Sequence, residues 1–422
     1  MKFIADLHIH SKYSRAVSKN MVLEELDRWA DDKGILVMGT GDFTHPAWFK
    51  ELKQKLEPAE LGLFQLKKEY KLPTLKGTFA DTRFLLSVEI SCIYSRGGKM
   101  RRVHNIVFVP DFETAEKVNT QLGFIGNLAS DGRPILGLDS EELAKIVFNS
   151  NSEAVIVPAH AWTPWFSVFG SMSGFDSLEE CFGEYSKNIF AIETGLSSDP
   201  AMNWRIKSLD KIAFISNSDS HSLQRIGREA NVLDTEFSYK GIMDAIRSRD
   251  PKKFLSTIEF FPEEGKYHYD GHRDCGVVFS PAETKKHKGI CPKCGKKLTI
   301  GVVYRVDQLA EKDRPEGFKD LSRVPYKNLV TLDSIIGEAL DVGRATKSVM
   351  KEYQKLIRMF KSEFNILLNA PIKEIAFASR PEIAEGVDRV RKGKLTIQPG
   401  YDGEFGVIKI FDEQDRKRLA EL

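Results

Sequence analysis

The chain lacks any apolar run of the length a helix needs to cross a bilayer, about 20 residues, so no membrane-spanning helix is expected in its 422 residues. It also lacks a basic start followed by an apolar stretch. Met1-Lys2-Phe3-Ile4-Ala5-Asp6 runs directly into acidic and histidine residues, so no secretory leader is expected and the expected compartment is the cytoplasm. An excess of one charge is missing as well: 62 basic against 60 acidic side chains leave a net charge of +2. Composition therefore neither announces nor excludes a polyanionic partner, and local distribution must decide. Cysteine is scarce, and five is an odd number, which speaks against a disulfide framework. Cys275, Cys291 and Cys294 share one short segment, while Cys92 and Cys181 stand apart as buried thiols. There is no internal repeat and no low-complexity tract. The length implies two or three domains.

From residue 1 to about 255, short β-rich runs alternate with helical stretches. Strands are predicted at Phe3–His8, Ile35–Thr40, Phe84–Val88, Val103–Val109, Ala154–Val157, Ile189–Glu193 and Ala213–Asn217. Amphipathic helices are predicted between several of them, at Val22–Lys33 and Ser140–Asn149 for example, the latter capped by Asp139 or Ser140. This alternation implies an α/β fold with a parallel sheet, open or closed into a barrel. After Pro262 the composition turns to Gly, His, Cys and Lys up to about Ile300, a small metal-organised module. From Tyr326 onward helices are predicted at Leu329–Leu340, Thr346–Phe360 and around Pro381–Arg391. Two strands joined by a glycine-rich turn follow between Leu395 and Ile410.

Histidine or carboxylate stands at the end of nearly every predicted strand of the first half. His8 and His10 follow the first, Asp42 the second, Glu89 the third, His160 the fifth, Glu193 the sixth, and Asp219 and His221 the seventh; His104 heads the fourth. In parallel α/β folds the carboxyl ends of strands converge on one rim, so these side chains would meet in one pocket. Residues i and i+2 of a strand share a face, which lets a His-x-His or Asp-x-His pair reach one ion. Imidazole mixed with carboxylate suits zinc, manganese or iron, and so many donors imply two or three ions.

The ordered series DLHIH, TGDF, SVEIS, VHNIVF, PAHAW, IETG and NSDSH resembles the PHP (polymerase and histidinol phosphatase) domain. The resemblance implies a distorted seven-stranded (β/α) barrel with a polynuclear metal centre that hydrolyses phosphate esters, using two or three divalent ions (Zn, Mn or Mg). By motif, His8, His10, Glu89 and Asp219 would hold one ion, and Glu89 would bridge to a second held by His104 and His160. A third site would draw on His221 and two further histidines, which this sequence lacks: Ser14 and Phe43 occupy those places, and Asp42 or His45 is the available substitute. Asp42 and Glu193 are the candidate catalytic carboxylates, with Glu193 as weak ligand or acceptor of the water's proton. Arg96, Lys99, Arg101 and Arg102 lie in a Gly-Gly loop before His104, there either to hold a phosphate or as a solvated basic loop.

His272, Cys275, Cys291 and Cys294 give the spacing H-x2-C-x15-C-x2-C, which fits a zinc ribbon holding one structural zinc, with His268 as the alternative fourth ligand. Between Gly265 and Ile300, eight Lys or Arg face three acids, a local excess that points to a polyanion. Arg101, Arg102, Lys293 and Lys296 are the candidate DNA-contacting residues. Trp162, Trp165, Phe166 and Phe169 follow His160, where their rings either stack on bases or pack a long loop. Domain boundaries are placed at 1–258, 259–301 and 302–422.

The order of PHP barrel, zinc ribbon and helical domain ending in PGYDGEFG resembles the endonuclease Q family over essentially the whole chain. That implies a DNA repair nuclease cutting the phosphodiester 5′ to deaminated bases (hypoxanthine, uracil, xanthine) and to abasic sites, after rotating the lesion out of the duplex. The alternatives are a PHP phosphatase acting on a small ester, and a DNA-binding scaffold with a degenerate site. A last motif, Gln354 to Phe360, loosely resembles a sliding-clamp peptide, although Ile357 and Phe360 at helical spacing also read as core.

Overall fold

The computed structural model describes residues 1–420. Seven strands form the barrel: β1 (Lys2–Asp6), β2 (Val37–Gly39), β3 (Arg83–Arg96), β4 (Lys99–Val109), β5 (Val155–Pro158), β6 (Ala191–Glu193) and β7 (Ala213–Ile215). They fall on the seven predicted segments. β1 pairs with β2 and β2 with β3 in parallel, β4 runs antiparallel to both β3 and β5, and β6 and β7 are parallel. The two remaining joints are made beyond the strand ends. Ala161 N donates to Glu193 O at 2.9 Å, and His10 N donates to Ser220 O at 3.0 Å. The barrel is therefore distorted: five of its seven joints are ladders and two are isolated bonds.

The structure departs from simple strand-helix alternation between β3 and β4. These are the arms of one long antiparallel hairpin, turned at Gly97 and Gly98, whose φ of 61° and 71° lie in the left-handed region that glycine adopts without strain. The arms are buried on both faces along most of their length, which is why they read as continuous apolar runs. On β3, Phe84, Leu86, Val88 and Ile90 pack outward against the helices, whereas Leu85, Ser87, Glu89 and Ser91 alternate with them and become polar toward the rim. Inversion of β4 also explains His104. It is the sixth residue of β4 and lies opposite Ser91 on β3, so it stands beside Glu89 at the same rim.

Two further strands, β8 (Ala230–Asp234) and β9 (Phe254–Glu259), extend the sheet antiparallel from the far side of β1. Tyr326–Asn328 adds to β9 in parallel. Helix Val302–Leu309 is tied to the barrel side as well, through Arg205 to Asp307 at 2.5 Å and Arg305 to the Phe169 and Phe175 carbonyls, both 3.0 Å. The helix Val302–Leu309 and the strand Tyr326–Asn328 thus pack with the barrel, and a run of helices follows from Leu332. Its helices are Leu332–Ala339, Lys347–Phe360, Glu363–Leu368, Ile372–Ala378 and Pro381–Arg391. Lys33 Nζ meets Glu363 Oε2 at 2.7 Å with both side chains almost fully buried, which joins this run to the helix Leu23–Lys33 of the barrel.

The clamp motif finds no support here: Ile357 and Phe360 are buried in the helical core. Thr396–Gln398 and Val407–Lys409 pair antiparallel, as the glycine-rich turn predicts. No helix among the described residues is long and apolar enough to cross a membrane.

Candidate metal centre

At the barrel rim the strand ends bring two donor groups together. His8, His10, Glu89 and Asp219 form one, and Glu89, His104 and His160 the other, the donor atoms of each lying within 4.8 Å of one another. In the first, His10 Nε2 stands 3.3 Å from Glu89 Oε2 and 3.1 Å from Asp219 Oδ1; His8 Nε2 stands 3.7 and 3.8 Å from the same atoms. In the second, Glu89 Oε1 lies 2.7 Å from His104 Nδ1 and 3.0 Å from His160 Nε2, and the two nitrogens are 3.3 Å apart. Ligands about 2.1 Å from one tetrahedral ion sit about 3.4 Å from each other, so both spacings suit a shared cation. Glu89 turns one oxygen to each group. The hairpin register makes this possible: Glu89 opposes Ile106 and His104 opposes Ser91, so Glu89 and His104 are diagonal neighbours on one face.

Two observations fit metal occupancy. His8 Nε2 is buried with no hydrogen-bond partner, an arrangement that costs free energy unless something else takes up the lone pair. The charge balance is compatible with a cation. Burial opposes ionising Glu89, yet His104, Arg133 and His10 around it hold its carboxyl well below the usual range. Burial works against charging His8 and His10, but Glu193 and Glu89 beside the first, and Asp219, Asp42 and Glu89 beside the second, push both imidazoles well above their ordinary value. For His104 burial wins and takes it down to about 4.

Glu193 and Asp42 stand one step behind these donors. Glu193 is fully buried and accepts from His8 Nδ1 at 3.0 and 3.1 Å, from Asn217 Nδ2 at 2.9 Å and from His160 N at 2.9 Å. Asp42 accepts from His10 Nδ1 at 3.1 Å, from Ser11 N and Oγ at 2.7 Å each, and from Ser14 Oγ at 2.8 Å. Each carboxylate fixes the tautomer of one histidine and aims its Nε2 at the pocket. Where catalytic carboxylates were expected, both stand behind the histidines, with their oxygens engaged by backbone, amide, hydroxyl and ring donors. Among the described residues, His221, Asp42 and His45 join neither donor group. His221 sits at the margin, its Nδ1 donating to Asp219 O at 2.9 Å, and His45 stacks on Tyr13 with ring centroids 4.4 Å apart. Asp42, His160, Phe166 and Asp219 all have positive φ (51°, 29°, 62°, 46°), so backbone strain concentrates at this rim.

Compared with solved structures, the chain superposes on the lesion-specific endonuclease PfuEndoQ from Pyrococcus furiosus with a TM-score of 0.84 and 32% identity, covering 98% of this chain and 96% of that one. The chain belongs to the endonuclease Q family. A second family structure, in complex with a 27-mer duplex substrate carrying an abasic lesion at the active site, matches with a TM-score of 0.83 and 32% identity over 99% of this chain and 98% of that one. YqxK of Bacillus subtilis is 28% identical over 97% of this chain and 99% of its own length. Protein MJ0043 of Methanocaldococcus jannaschii is 32% identical over 292 residues, 65% of this chain, and the chain spans only 35% of that relative's length. The model of the MJ0043 C-terminal domain matches residues 331–394, which covers the five helices from Leu332 to Arg391.

Outside the rim, this endonuclease Q family member gathers His272, Cys275, Cys291 and Cys294 into a third donor group within the same 4.8 Å limit. Three sulfurs and one imidazole with no vacant position suit a structural zinc. His268 is not part of the group; it is buried, with Nδ1 unpartnered. Of the aromatic loop, Trp162 and Phe169 are buried and pack it, while Trp165 is exposed and Phe166 lies 4.8 Å from the His104 ring with Arg102 over it at 5.5 Å. Arg101 is spent internally, stacked 4.0 Å over Phe175 and bonded to Gly174 O, and Lys293 donates to Cys275 O at 2.7 Å. Lys296 is exposed. One residue the sequence did not single out is central: Arg133 Nη1 lies 3.0 Å from Glu89 Oε2 at the mouth of the pocket.

Proposed function

We propose that this chain is a lesion-specific DNA endonuclease that hydrolyses the phosphodiester on the 5′ side of abasic sites and of deaminated bases such as hypoxanthine, uracil and xanthine. The observation that carries the reading is the pair of donor groups sharing Glu89 in a chain that matches endonuclease Q structures from end to end. His8, His10, Glu89 and Asp219 would hold one divalent ion, Glu89, His104 and His160 a second, with His221 at the margin. Such ions supply a hydroxide at neutral pH and stabilise both the attacking and the leaving oxygen of an in-line displacement.

The chain's own residues prepare that chemistry. Glu193 and Asp42 keep His8 and His10 in the tautomer that offers Nε2 to the pocket. Arg133, tied to Glu89, is placed at the mouth where a non-bridging phosphate oxygen would lie, and its planar fork suits that oxygen. Arg102 and Phe166 flank His104 on the substrate side. His272, Cys275, Cys291 and Cys294 would hold a zinc whose part is to fold the basic module and not to react.

The test is a panel of labelled duplexes with one abasic site, deoxyuridine, deoxyinosine or deoxyxanthosine, run with zinc, manganese or magnesium beside a small phosphomonoester. Incision next to the lesion with undamaged duplex intact is the expected result. Release of phosphate from the small ester with all duplexes intact would favour a phosphatase and sink the reading.

A further inference from the structure

Phe405, near the end of the PGYDGEFG turn, is 70% exposed although its turn is bonded to the rest of the protein at several points. The mount is a set of backbone bonds to the start of the zinc-type module. Gly400 N donates to Glu263 O at 2.8 Å, Gly403 N to Lys266 O at 3.0 Å and Gly406 N to Glu264 O at 3.1 Å, while Tyr269 N donates to Gly400 O at 3.0 Å. Glycine is required for so close an approach: a Cβ on Gly400 would lie 2.3 Å from Gly265 O, and one on Gly406 2.0 Å from Glu263 O. Asp402 pins the same turn, accepting from Thr299 Oγ1 at 2.5 Å and from Arg273 N at 2.7 Å. A backbone held this firmly with a largely exposed aromatic ring on it is arranged for something outside the protein.

The ring's surroundings say what that is. Lys266 Nζ stands 4.4 Å over it. Phe405 also forms one wall of a cavity of about 670 Å³ whose other walls include Arg225, Arg228, Arg344 and Phe260 together with the carboxylates Glu264 and Glu338. Arg228 links the cavity to the metal centre, donating from Nε to Ser218 O at 2.9 Å and from Nη2 to Asp219 O at 3.4 Å. Three arginines against two carboxylates, with Phe260 and Phe405 beside them, leave a cationic and aromatic lining next to the phosphodiester-cutting site, which suits a nucleotide drawn out of a duplex. Withdrawing a nucleotide leaves a gap in the base stack, and proteins that open duplexes commonly fill it with an apolar side chain.

Resting on the endonuclease reading, we infer that Phe405 inserts into the base stack at the lesion, with Lys266 against the neighbouring phosphate, and holds the gap open while the lesion nucleotide occupies the cavity. Phe405 is a positioning residue for the duplex and touches no reacting atom. Losing a stacked ring costs roughly tenfold or more in binding, and the loss falls only where the enzyme must open the helix itself.

The experiment compares kcat/KM of wild type, Phe405→Ala and Phe405→Trp on one abasic site in two settings: a fully paired duplex and a duplex in which the site lies inside a preformed unpaired bubble. Phe405→Ala is expected to lose roughly tenfold or more on the paired duplex and less than about twofold on the bubble, with Phe405→Trp near wild type on both. Equal losses on the two substrates, or no loss on the paired duplex, overturn the inference. So does a wild type that cuts the paired site but not the bubble, since opening the duplex in advance should help. A wild type that cuts neither removes the endonuclease reading itself, and is recognised without any variant.

Discussion

Replacing Glu193 by Gln separates two roles for a buried carboxylate beside a metal centre. Every group around Glu193 donates to it: His8 Nδ1, Asn217 Nδ2 and His160 N, at 2.9 to 3.1 Å. Asn217 cannot turn its amide round to compensate, because its Oδ1 already accepts from Leu7 N and Asn231 Nδ2, both at 2.9 Å. A glutamine of the same shape brings an NH2 that must face one of these donors whichever way it is placed. Leaving one such buried donor unpaired costs about 1–3 kcal/mol, which is roughly ten- to a hundredfold in the affinity for the ion at His8, the range seen when carboxylates behind metal-bound histidines are changed. The assay is cleavage of a lesion-containing duplex as a function of free metal. Half-maximal activity should move to roughly ten- to a hundredfold higher metal, with most of the wild-type rate restored at saturation. An unchanged metal requirement together with a deep loss of rate at saturation would refute the reasoning and make Glu193 the group that takes the water's proton.

Three further outcomes follow from the rest of the structure. Lys33→Ala leaves the Glu363 carboxylate buried against Tyr353 Oη and Leu332 N, at 2.8 and 3.0 Å, and should destabilise the protein by about 3–5 kcal/mol in urea unfolding; a loss below about 1 kcal/mol would show the pair to be dispensable. Asp27 is buried with both oxygens unpartnered, and burial pushes its carboxyl up to about 7. Because the folded state holds this proton more tightly than the unfolded one, stability falls as pH rises from about 4 to about 7. Asp27→Asn should therefore stabilise the protein at pH 8, by at most about 4 kcal/mol, and make no difference near pH 4; equal stabilisation at both pH values would contradict this. Cys291→Ser removes one of the four donors of the basic module and should lose one equivalent of zinc by elemental analysis and weaken duplex binding, whereas unchanged zinc content would reject the assignment.

Much of the site was legible because its chemistry is tied to strand ends. His8, His10, His160 and Asp219 each follow a barrel strand, and strand ends in such a barrel share a rim whatever the loops do. Glu89 and His104 were paired only through the motif resemblance; their diagonal placement on one hairpin face follows from the two-residue turn at Gly97-Gly98, which the strand pattern alone does not show. The roles of Glu193 and Asp42 could not be read: position at a strand end does not say whether a carboxylate faces the metals or the backs of the histidines. Arg133 had no signal at all, because it reaches Glu89 from a loop rather than by periodicity. The aromatic loop divided in a way that spacing does not encode, with Trp162 and Phe169 inside and Trp165 outside. Ile357 and Phe360 show the reverse case, where helical spacing correctly named core residues and the clamp motif did not.

The most direct test of the account is a single duplex, labelled at its 5′ end and holding one abasic site, incubated with the wild-type protein and with Glu89→Ala. One incision on the 5′ side of the lesion, absent from undamaged duplex and abolished by Glu89→Ala, is the result predicted. Cutting of undamaged duplex to the same extent, or full activity in Glu89→Ala, would contradict a lesion-specific nuclease built on a carboxylate shared between two ions.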